Sequence, residues 1–142
     1  MFNIDDCIAM ITCRSAKKLA ACLEKRLNYY NITRTQWIAL YYISTNKMIT
    51  QRQLADKMSL REPTVVRLLD KMESFGWIIR LNSEDDKRIK LLILTDKGQK
   101  IATKMLDVAE KFRNDVIKDI PPEDLDTYNS VLNKMLSNIK NG

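Results

Sequence analysis

Residues Pro63 to Gly98 read PTVVRLLDKMESFGWIIRLNSEDDKRIKLLILTDKG, and this segment constrains the architecture more tightly than any other part of the chain. In its first half, apolar residues recur at helical spacing, at Val65, Leu68, Leu69 and Met72. This pattern predicts a helix that buries one face. Pro63 suits the first turn of that helix, where a missing N–H group costs little. Gly76 suits its C-terminal end.

The second half of the segment predicts a β-hairpin. Residues 77–81 and 89–94 have the aliphatic and aromatic composition of strands, and the polar residues 82–87 between them suit a turn. Thr95 is expected to cap a further helix, with Asp96 near the positive end of that helix. A helix followed by a hairpin can contact two neighbouring grooves of one DNA duplex.

Two capping boxes are predicted upstream of this segment. Thr33 stands three residues before Gln36, and Thr50 stands three residues before Gln53, so each pair marks a helix start. A preceding helix is expected over residues 4–30, where apolar residues recur without a breaker. The expected buried face of the helix after Thr33 comprises Trp37, Leu40, Tyr41 and Ser44.

The predicted order is helix, helix, short helix, helix, hairpin, helix, helix, with Pro121 separating the last two helices. The fold class is therefore mainly α with a small β-hairpin, and the 142 residues suit a single domain. Residues 50–75 match a helix-turn-helix, and residues 77–94 match a wing. Together with the preceding helix they form an expected winged helix-turn-helix lobe over residues 33–94.

The composition narrows the functional classes. The chain has 24 basic and 18 acidic residues, a net charge of +6, which suits a polyanionic partner. It has no histidine, no phosphate-binding glycine loop and no metal-ligand spacing among its three cysteines. We therefore expect no enzymatic activity, no metal and no other cofactor. The sequence has neither an apolar run that could span a bilayer nor a signal peptide, which predicts a cytoplasmic protein without a membrane partner.

The charge of the lobe itself is nearly balanced. Residues 50–90 contain nine basic and seven acidic residues, a net charge of +2, so the placement of the basic residues decides whether DNA binds. Thr64 and Arg67 are expected on the N-terminal half of the recognition helix, where arginine can bridge guanine acceptors and threonine can contact a phosphate or a thymine methyl group. Asp70 and Glu73 follow in the distal half, so only the first two turns are expected to enter the major groove.

The wing supplies a second set of expected contacts. Arg80 and Arg88 bracket its tip, and Lys87 lies within the tip. A basic side chain on a hairpin tip can enter a narrow minor groove. Asp86 stands two residues before Arg88 and is expected to orient it through an ion pair. The alternative for this pair is a solvated surface interaction of little consequence.

Further basic and polar residues complete the predicted DNA-binding set. Arg52 and Gln53, at the start of the first helix of the motif, are expected to contact backbone phosphates. The whole set is Arg52, Gln53, Arg61, Pro63, Thr64, Arg67, Lys71, Lys87 and Arg88, with Asp86 orienting Arg88. For Arg61, Arg67 and Lys71 the alternative is an exposed charge without a DNA contact.

The chain resembles the MarR family of bacterial and archaeal winged-helix regulators. The matching segments are PTVVRLLDKMESFGWIIR, the wing tip SEDDKR with its Asp86-x-Arg88 pattern, and LTDKG. The resemblance covers nearly the whole chain and implies a homodimer, with a helical dimerisation region formed by residues 1–30 and 96–140. It implies a pseudo-palindromic operator in double-stranded DNA, with Arg88 in the minor groove and Thr64 and Arg67 facing the major groove.

The resemblance also implies a regulatory role. Members of the family mostly repress nearby genes, and many release DNA when a small ligand binds. We therefore expect a repressor that responds to a small effector, aromatic or lipophilic in character, bound between the lobe and the dimerisation helices. Lys17 or Lys18, Trp37 and Tyr41 are the expected walls of that site. The alternative for the aromatic residues is packing in the core or at an interface.

Two other functions stay open on the same fold. The first is a thiol-based redox sensor, because Cys13 lies in the region where one redox branch of the family places its cysteine. The organic-hydroperoxide branch would place its cysteine near residue 9, which is Ala9 here, and the alternative for all the thiols is an inert role. The second is a winged-helix protein-interaction module that does not bind DNA, which the small net charge of the lobe allows.

Overall fold

The computed structural model describes residues 1–140. In this range the elements are, in chain order, α1 (Ile8–Asn28), α2 (Arg34–Thr45), α3 (Gln51–Met58), α4 (Glu62–Ser74), β1 (Ile78–Asn82), β2 (Lys90–Leu94), α5 (Asp96–Val116) and α6 (Pro122–Lys140). The predicted order and the mainly helical class with one antiparallel hairpin are confirmed. The chain divides into two compact units, the first ending at Glu110 and the second beginning at Lys111.

Both predicted capping boxes are present. The Thr33 hydroxyl accepts the backbone N–H of Gln36 at 3.1 Å, and the Gln36 side chain accepts the backbone N–H of Thr33 at 3.0 Å. Thr50 and Gln53 make the same two hydrogen bonds, each 3.0 Å long, at the start of α3. Each box satisfies two N–H groups that a helix start would otherwise leave without a partner.

Helix α1 begins four residues later than predicted. It starts at Ile8 because Asn3 folds the preceding residues into a turn. The Asn3 side chain accepts the backbone N–H of Asp5 and donates to the carboxylate of Asp6, both at 3.0 Å. Asparagine side chains commonly offer the backbone this alternative to a helix. Apolar spacing in residues 4–8 alone could not show that competition.

Helix α4 buries the face that the sequence predicts. Val65, Leu69 and Met72 are fully buried, and Leu68 packs against them. The helix ends at Ser74, and Gly76 then adopts a φ of 75°, the left-handed conformation that glycine adopts without a Cβ clash. The sequence signals at both ends of α4 are therefore correct.

The hairpin pairs β1 with β2 in antiparallel register, with Ile78 opposite Leu94 and Asn82 opposite Lys90. Each strand begins one residue later than predicted. The backbone carbonyl of Trp77 instead accepts the N–H of Thr95 at 3.0 Å, at the start of α5. On its other edge β2 receives a short third segment through an isolated bridge between Thr50 and Leu91, which the sequence did not indicate.

Helix α2 buries a wider face than predicted. Trp37 and Leu40 are buried as expected, but Tyr41 is exposed, and Ala39 and Ile43 are buried instead. The reason is that α2 packs against α1, α3 and β2, so its buried surface extends beyond a single apolar stripe. The buried core of the first unit is made of Leu27, Ile32, Trp37, Ala39, Leu40, Ile43, Ile49, Leu54, Ala55, Val65, Leu69, Met72, Trp77, Ile78, Leu92, Ala102 and Met105.

Two helices leave most of their apolar residues uncovered in the single chain. In α1 the one buried residue is Leu27, while Ile8, Ile11 and Leu19 are exposed. Helix α6 has no buried residue among Pro122–Lys140 and exposes Tyr128, Val131, Leu136 and Ile139. None of the helices in residues 1–140 combines the length and apolar character that crossing a bilayer requires.

Candidate nucleic-acid interface

Helices α3 and α4 form a helix-turn-helix. Three residues, Ser59 to Arg61, connect them, and Ser59 adopts a left-handed φ of 54° that turns the chain sharply. The two helices pack through Leu54 and Ala55 of α3 and Val65 and Leu69 of α4, all of which belong to the buried core. Since these four residues lie inside, the opposite face of α4 is directed to solvent.

The predicted contacts on the helix-turn-helix all lie on its exposed surface. The residues concerned are Arg52, Gln53, Arg61, Pro63, Thr64, Arg67 and Lys71. The side-chain oxygen of Gln53 is already engaged, because it accepts the backbone N–H of Thr50 in the capping box. Its amide nitrogen is the group that could donate to a phosphate. Arg61 immediately precedes α4, and its carbonyl accepts the N–H of Thr64 at 3.0 Å.

The wing tip holds Asp86 and Arg88 in a two-pronged ion pair. Asp86 Oδ1 accepts the Arg88 Nε–H at 3.1 Å, Asp86 Oδ2 accepts from Arg88 Nη2 at 3.1 Å, and Oδ1 also accepts the Arg88 backbone N–H at 3.0 Å. The hydrogen bonds from the Arg88 side chain, and then from its backbone, lower the pKa of the Asp86 carboxyl. The Arg88 side chain is 91% exposed, so the pair fixes a guanidinium that stays open to a partner.

Arg80 has a different place from the one that the sequence predicts. It does not bracket the tip; it lies in the middle of β1, opposite Leu92, and its side chain reaches α4. Its Nη2 donates to Asp70 at 2.6 Å, and its Nε donates to Glu73 at 3.2 Å. The sequence shows that Asp70 and Glu73 are three residues apart on one helix face, but only the structure shows that β1 packs against that face and brings Arg80 to them.

A small cavity lies between the helix-turn-helix and the wing. Its volume is about 280 Å³, and it is lined by Thr50, Gln51, Arg52, Glu62, Arg88, Ile89 and Lys90. Three of these side chains are basic and one is acidic, so the cavity could accept a single anionic group. Lys90 also donates to the side chain of Asn82 across the hairpin. Lys87, in the wing tip, is exposed.

Two of the predicted effector residues, Trp37 and Tyr41, form an aromatic pair. The rings of Trp37 and Tyr41 lie 5.8 Å apart between centroids, with Trp37 buried and Tyr41 41% exposed. Lys17 and Lys18 are exposed on α1. A separate groove of about 310 Å³, which the sequence did not indicate, is lined by Ile43, Ser44, Lys47, Met48, Leu92, Ile93, Leu94 and Gln99.

The three cysteines are free thiols. Cys13 and Cys22 are exposed on α1, and Cys7, which precedes the helix, is half-buried. Within residues 1–140, no three His, Cys, Asp or Glu side chains are grouped so that they could hold a metal ion. The thiols therefore stand as individual groups in the single chain.

Comparison with known proteins agrees with this geometry. The model of the MarR family matches residues 32–90, which contain the helix-turn-helix and most of the wing. The helix-turn-helix-type transcriptional regulator YwoH of Bacillus subtilis is 30% identical over 127 residues, which cover 87% of this chain and 89% of that protein. The chain belongs to the MarR family. This MarR-family chain is accordingly a helix-turn-helix transcriptional regulator.

Solved structures of MarR-family and other regulators have the same fold. The transcriptional regulator PA3341 matches with a TM-score of 0.82 and 28% identity, and the match covers 96% of this chain and 100% of PA3341. A cysteine variant of MarR from E. coli in complex with operator DNA matches with a TM-score of 0.83 and 25% identity, covering 91% of this chain and 93% of that one. The winged helix-turn-helix assignment of this MarR-family chain is thereby confirmed.

Proposed function

We propose that this regulator is a sequence-specific DNA-binding protein that acts as a homodimer and represses genes near its operator. The observation that carries the proposal is the wing tip, where Asp86 holds a guanidinium of Arg88 that is 91% exposed. An isolated surface pair would contribute little to stability. A fixed and exposed arginine beside a helix-turn-helix is, in contrast, suited to a narrow minor groove.

The helix-turn-helix supplies the second part of the proposed contact. Thr64 and Arg67 are exposed on the N-terminal half of α4 while Val65 and Leu69 anchor its other face in the core. This half would enter the major groove and read base edges. Arg52 and Gln53 on α3, together with Arg61, Pro63, Lys71 and Lys87, would contact the DNA backbone. The solved complex of the E. coli MarR variant with operator DNA supports this use of the fold.

The dimer proposal rests on exposed apolar surface. Residues 33–94 would form the DNA-binding lobe, and the helices in residues 1–30 and 96–140 would form the dimerisation region. In the single chain, α1 and α6 expose large apolar side chains such as Ile8, Leu136 and Ile139. A partner protomer would cover them, and two recognition helices would then lie about 34–36 Å apart, reading a pseudo-palindrome.

Regulation by a small effector is the finer part of the proposal. The exposed ring of Tyr41, which is backed by the buried Trp37, could stack against an aromatic or lipophilic compound. Lys17 of α1 would attract an acidic group on such a compound. The regulator would act through binding alone, without enzymatic chemistry.

The decisive experiment is selection of bound fragments from the source genome, followed by titration of the recovered site and of random DNA at several salt concentrations. Specific binding should be several orders of magnitude tighter than binding to random DNA and should weaken with added salt. Absence of any salt-dependent DNA binding would overturn the proposal and favour a protein-interaction module. The genes beside the recovered sites would narrow the effector.

A redox-sensing regulator is the second candidate, because Cys13 is an exposed free thiol. Mild oxidation would then release the protein from DNA, and Cys13→Ser would abolish the release while leaving binding of the reduced protein unchanged. Cys22→Ser is a matched control on the same helix. Release that persists in the Cys13→Ser variant would rule out a sensing role for this thiol.

A further inference from the structure

Arg80 ties three elements of the lobe together. Its Nη2 donates to Asp70 Oδ1 at 2.6 Å and to Glu73 Oε1 at 3.3 Å, and its Nε donates to Glu73 Oε2 at 3.2 Å. Its Nη1 donates to the side-chain oxygen of Gln51 at 3.3 Å. One guanidinium on β1 thus reaches α4 twice and α3 once. We call this set of contacts the Arg80 clasp.

The clasp is better suited to fixing direction than to holding the fold together. The carboxylates of Asp70 and Glu73 are 58% and 43% exposed, and ion pairs with such solvent access contribute little to stability. A two-pronged contact between guanidinium and carboxylate, however, fixes the relative orientation of its partners. The side chain of Arg80 is only 18% exposed, so most of it is covered by the lobe.

The clasp lies near the base of the hairpin, so a small rotation there changes the position of the wing tip. Arg80 pairs with Leu92, and Arg88 lies four residues beyond Leu92 towards the tip. Four residues span at most about 13 Å, and Arg88 itself lies in the turn before β2. A rotation of about 10° at the clasp would therefore move the tip by up to roughly 2 Å, a third of the minor-groove width of about 6 Å. The buried Ile78 and Leu92 hold the base of the wing on the core, and the clasp adds a contact of fixed direction between β1 and α4.

The electrostatics of the clasp agree with this role. The hydrogen bond from Arg80 is the largest cause that lowers the pKa of Glu73, and the hydrogen bond to Glu73 is the largest cause that raises the pKa of Arg80. Both groups are therefore charged throughout the neutral range. The clasp also explains why a DNA-reading helix carries acid at its distal end, where it would otherwise repel phosphate.

We infer that Arg80 is a positioning residue for DNA binding, which locks the wing to the recognition helix through Asp70 and Glu73 so that Arg88 and the N-terminal half of α4 engage adjacent grooves together. This inference rests on the proposed function. Arg80 itself would not contact DNA. It would change operator affinity only by fixing the position of Arg88. The acidic residues of α4 accordingly favour DNA binding, although their charge opposes it.

The sign of one double substitution separates positioning from simple electrostatics. Asp70→Ala combined with Glu73→Ala removes two negative charges from the DNA-reading helix, so electrostatics alone predicts tighter operator binding. It also removes both carboxylates that hold Arg80 to α4, and loss of the clasp predicts the opposite, namely binding weaker by about tenfold. We expect the weaker binding. Tighter binding by this double variant would overturn the inference.

A double-mutant cycle tests whether Arg80 acts through Arg88. Arg80→Gln should weaken operator binding by about tenfold in the wild-type background and by less than about twofold in the Arg88→Ala background. Equal losses in both backgrounds would show that Arg80 acts independently of the wing tip. Arg34→Gln is the matched control, because Arg34 is an exposed arginine of the same lobe outside the proposed contact set.

Hydrogen exchange of the free protein provides a readout that needs no DNA. Arg80→Gln should speed amide exchange in residues 82–90 while leaving exchange in α2 unchanged. If Arg80→Gln does not fold, the double variant Asp70→Ala, Glu73→Ala carries the same comparison. A wild-type protein that binds no DNA would overturn the proposed function, whereas weakened binding by Arg88→Ala together with unchanged binding by Arg80→Gln would overturn the positioning role alone.

Discussion

Gly98, in the first turn of α5, lies directly against the backbone carbonyl of Trp77. A Cβ atom built on Gly98 would lie 2.0 Å from the Trp77 carbonyl oxygen, far inside van der Waals contact. The same carbonyl accepts the N–H of Thr95, and the Thr95 hydroxyl accepts the N–H of Gly98 at 3.1 Å. The segment LTDKG thus joins the start of α5 to the start of the hairpin, and glycine is the residue that fits there.

Gly98→Ala should therefore destabilise the protein by about 1–3 kcal/mol, the usual cost of forcing a methyl group into a packed site. The clash is with backbone, which cannot move aside as the end of a flexible side chain could. Urea denaturation measures the loss. Stability equal to that of the wild type would show that a methyl group fits between α5 and Trp77 without a clash.

Gly76 offers a contrasting case, because its constraint is conformational. Nothing lies within 4 Å of a Cβ built on it, but its φ is 75°. Gly76→Ala should cost about 1 kcal/mol, and Gly76→Asn should cost less, because asparagine adopts the left-handed region more readily. Urea denaturation of the two variants gives the comparison. A larger loss for asparagine than for alanine would contradict this explanation.

Arg88→Ala should weaken operator binding and lower the slope of log affinity against log salt by about one unit, because one counterion-releasing contact is removed. The fold should be unaffected, since the side chain is 91% exposed. Fluorescence anisotropy at four or more salt concentrations measures both quantities. Arg34→Gln serves again as the control, and wild-type affinity and slope in Arg88→Ala would disprove the wing contact.

The pH dependence of the clasp follows from the pKa of Glu73, which is lowered below its ordinary value of 4.5 by the hydrogen bond from Arg80. A lowered carboxylate pKa stabilises the folded state above the ordinary pKa, and this contribution is lost as pH falls through the folded-state value. The difference in thermal midpoint between wild type and Glu73→Gln should therefore be constant from pH 6 to 8 and should shrink below about pH 4.5. A difference that changes between pH 6 and 8 would show that another group governs the clasp.

The dimer proposal predicts that substitutions on the apolar face of α6 weaken self-association, whereas substitutions on its opposite face do not. Leu136→Glu should weaken self-association by at least roughly tenfold, because an unpaired carboxylate buried in an apolar interface costs several kcal/mol. Ser137→Glu, at an exposed residue about 180° around the helix from Tyr128, should have little effect. Sedimentation equilibrium measures both variants. A wild-type chain that is monomeric at micromolar concentration would contradict the proposal, as would equal effects of the two substitutions.

Sequence alone determined the features whose causes lie within a few residues of one another. The capping boxes at Thr33 and Thr50, the buried stripe of α4 and the glycine at residue 76 all depend on partners three to seven positions apart, within one helix or at its end. The Asp86 and Arg88 pair, two residues apart in one turn, is of the same kind. Local hydrogen bonds and helical periodicity leave such features little freedom, so they are visible in the sequence.

Only the tertiary structure determined the contacts of side chains whose partners are distant in the chain. Arg80 meets Gln51 across 29 positions, and the strand phase at residue 80, which directs this arginine inward to α4, is set by the pairing of β1 with β2. The contact of Gly98 with Trp77 and the exposure of Tyr41 depend in the same way on how whole elements pack. When a side chain contacts a different helix or strand, its direction depends on how the two elements pack. A pattern of neighbouring residues does not contain that information.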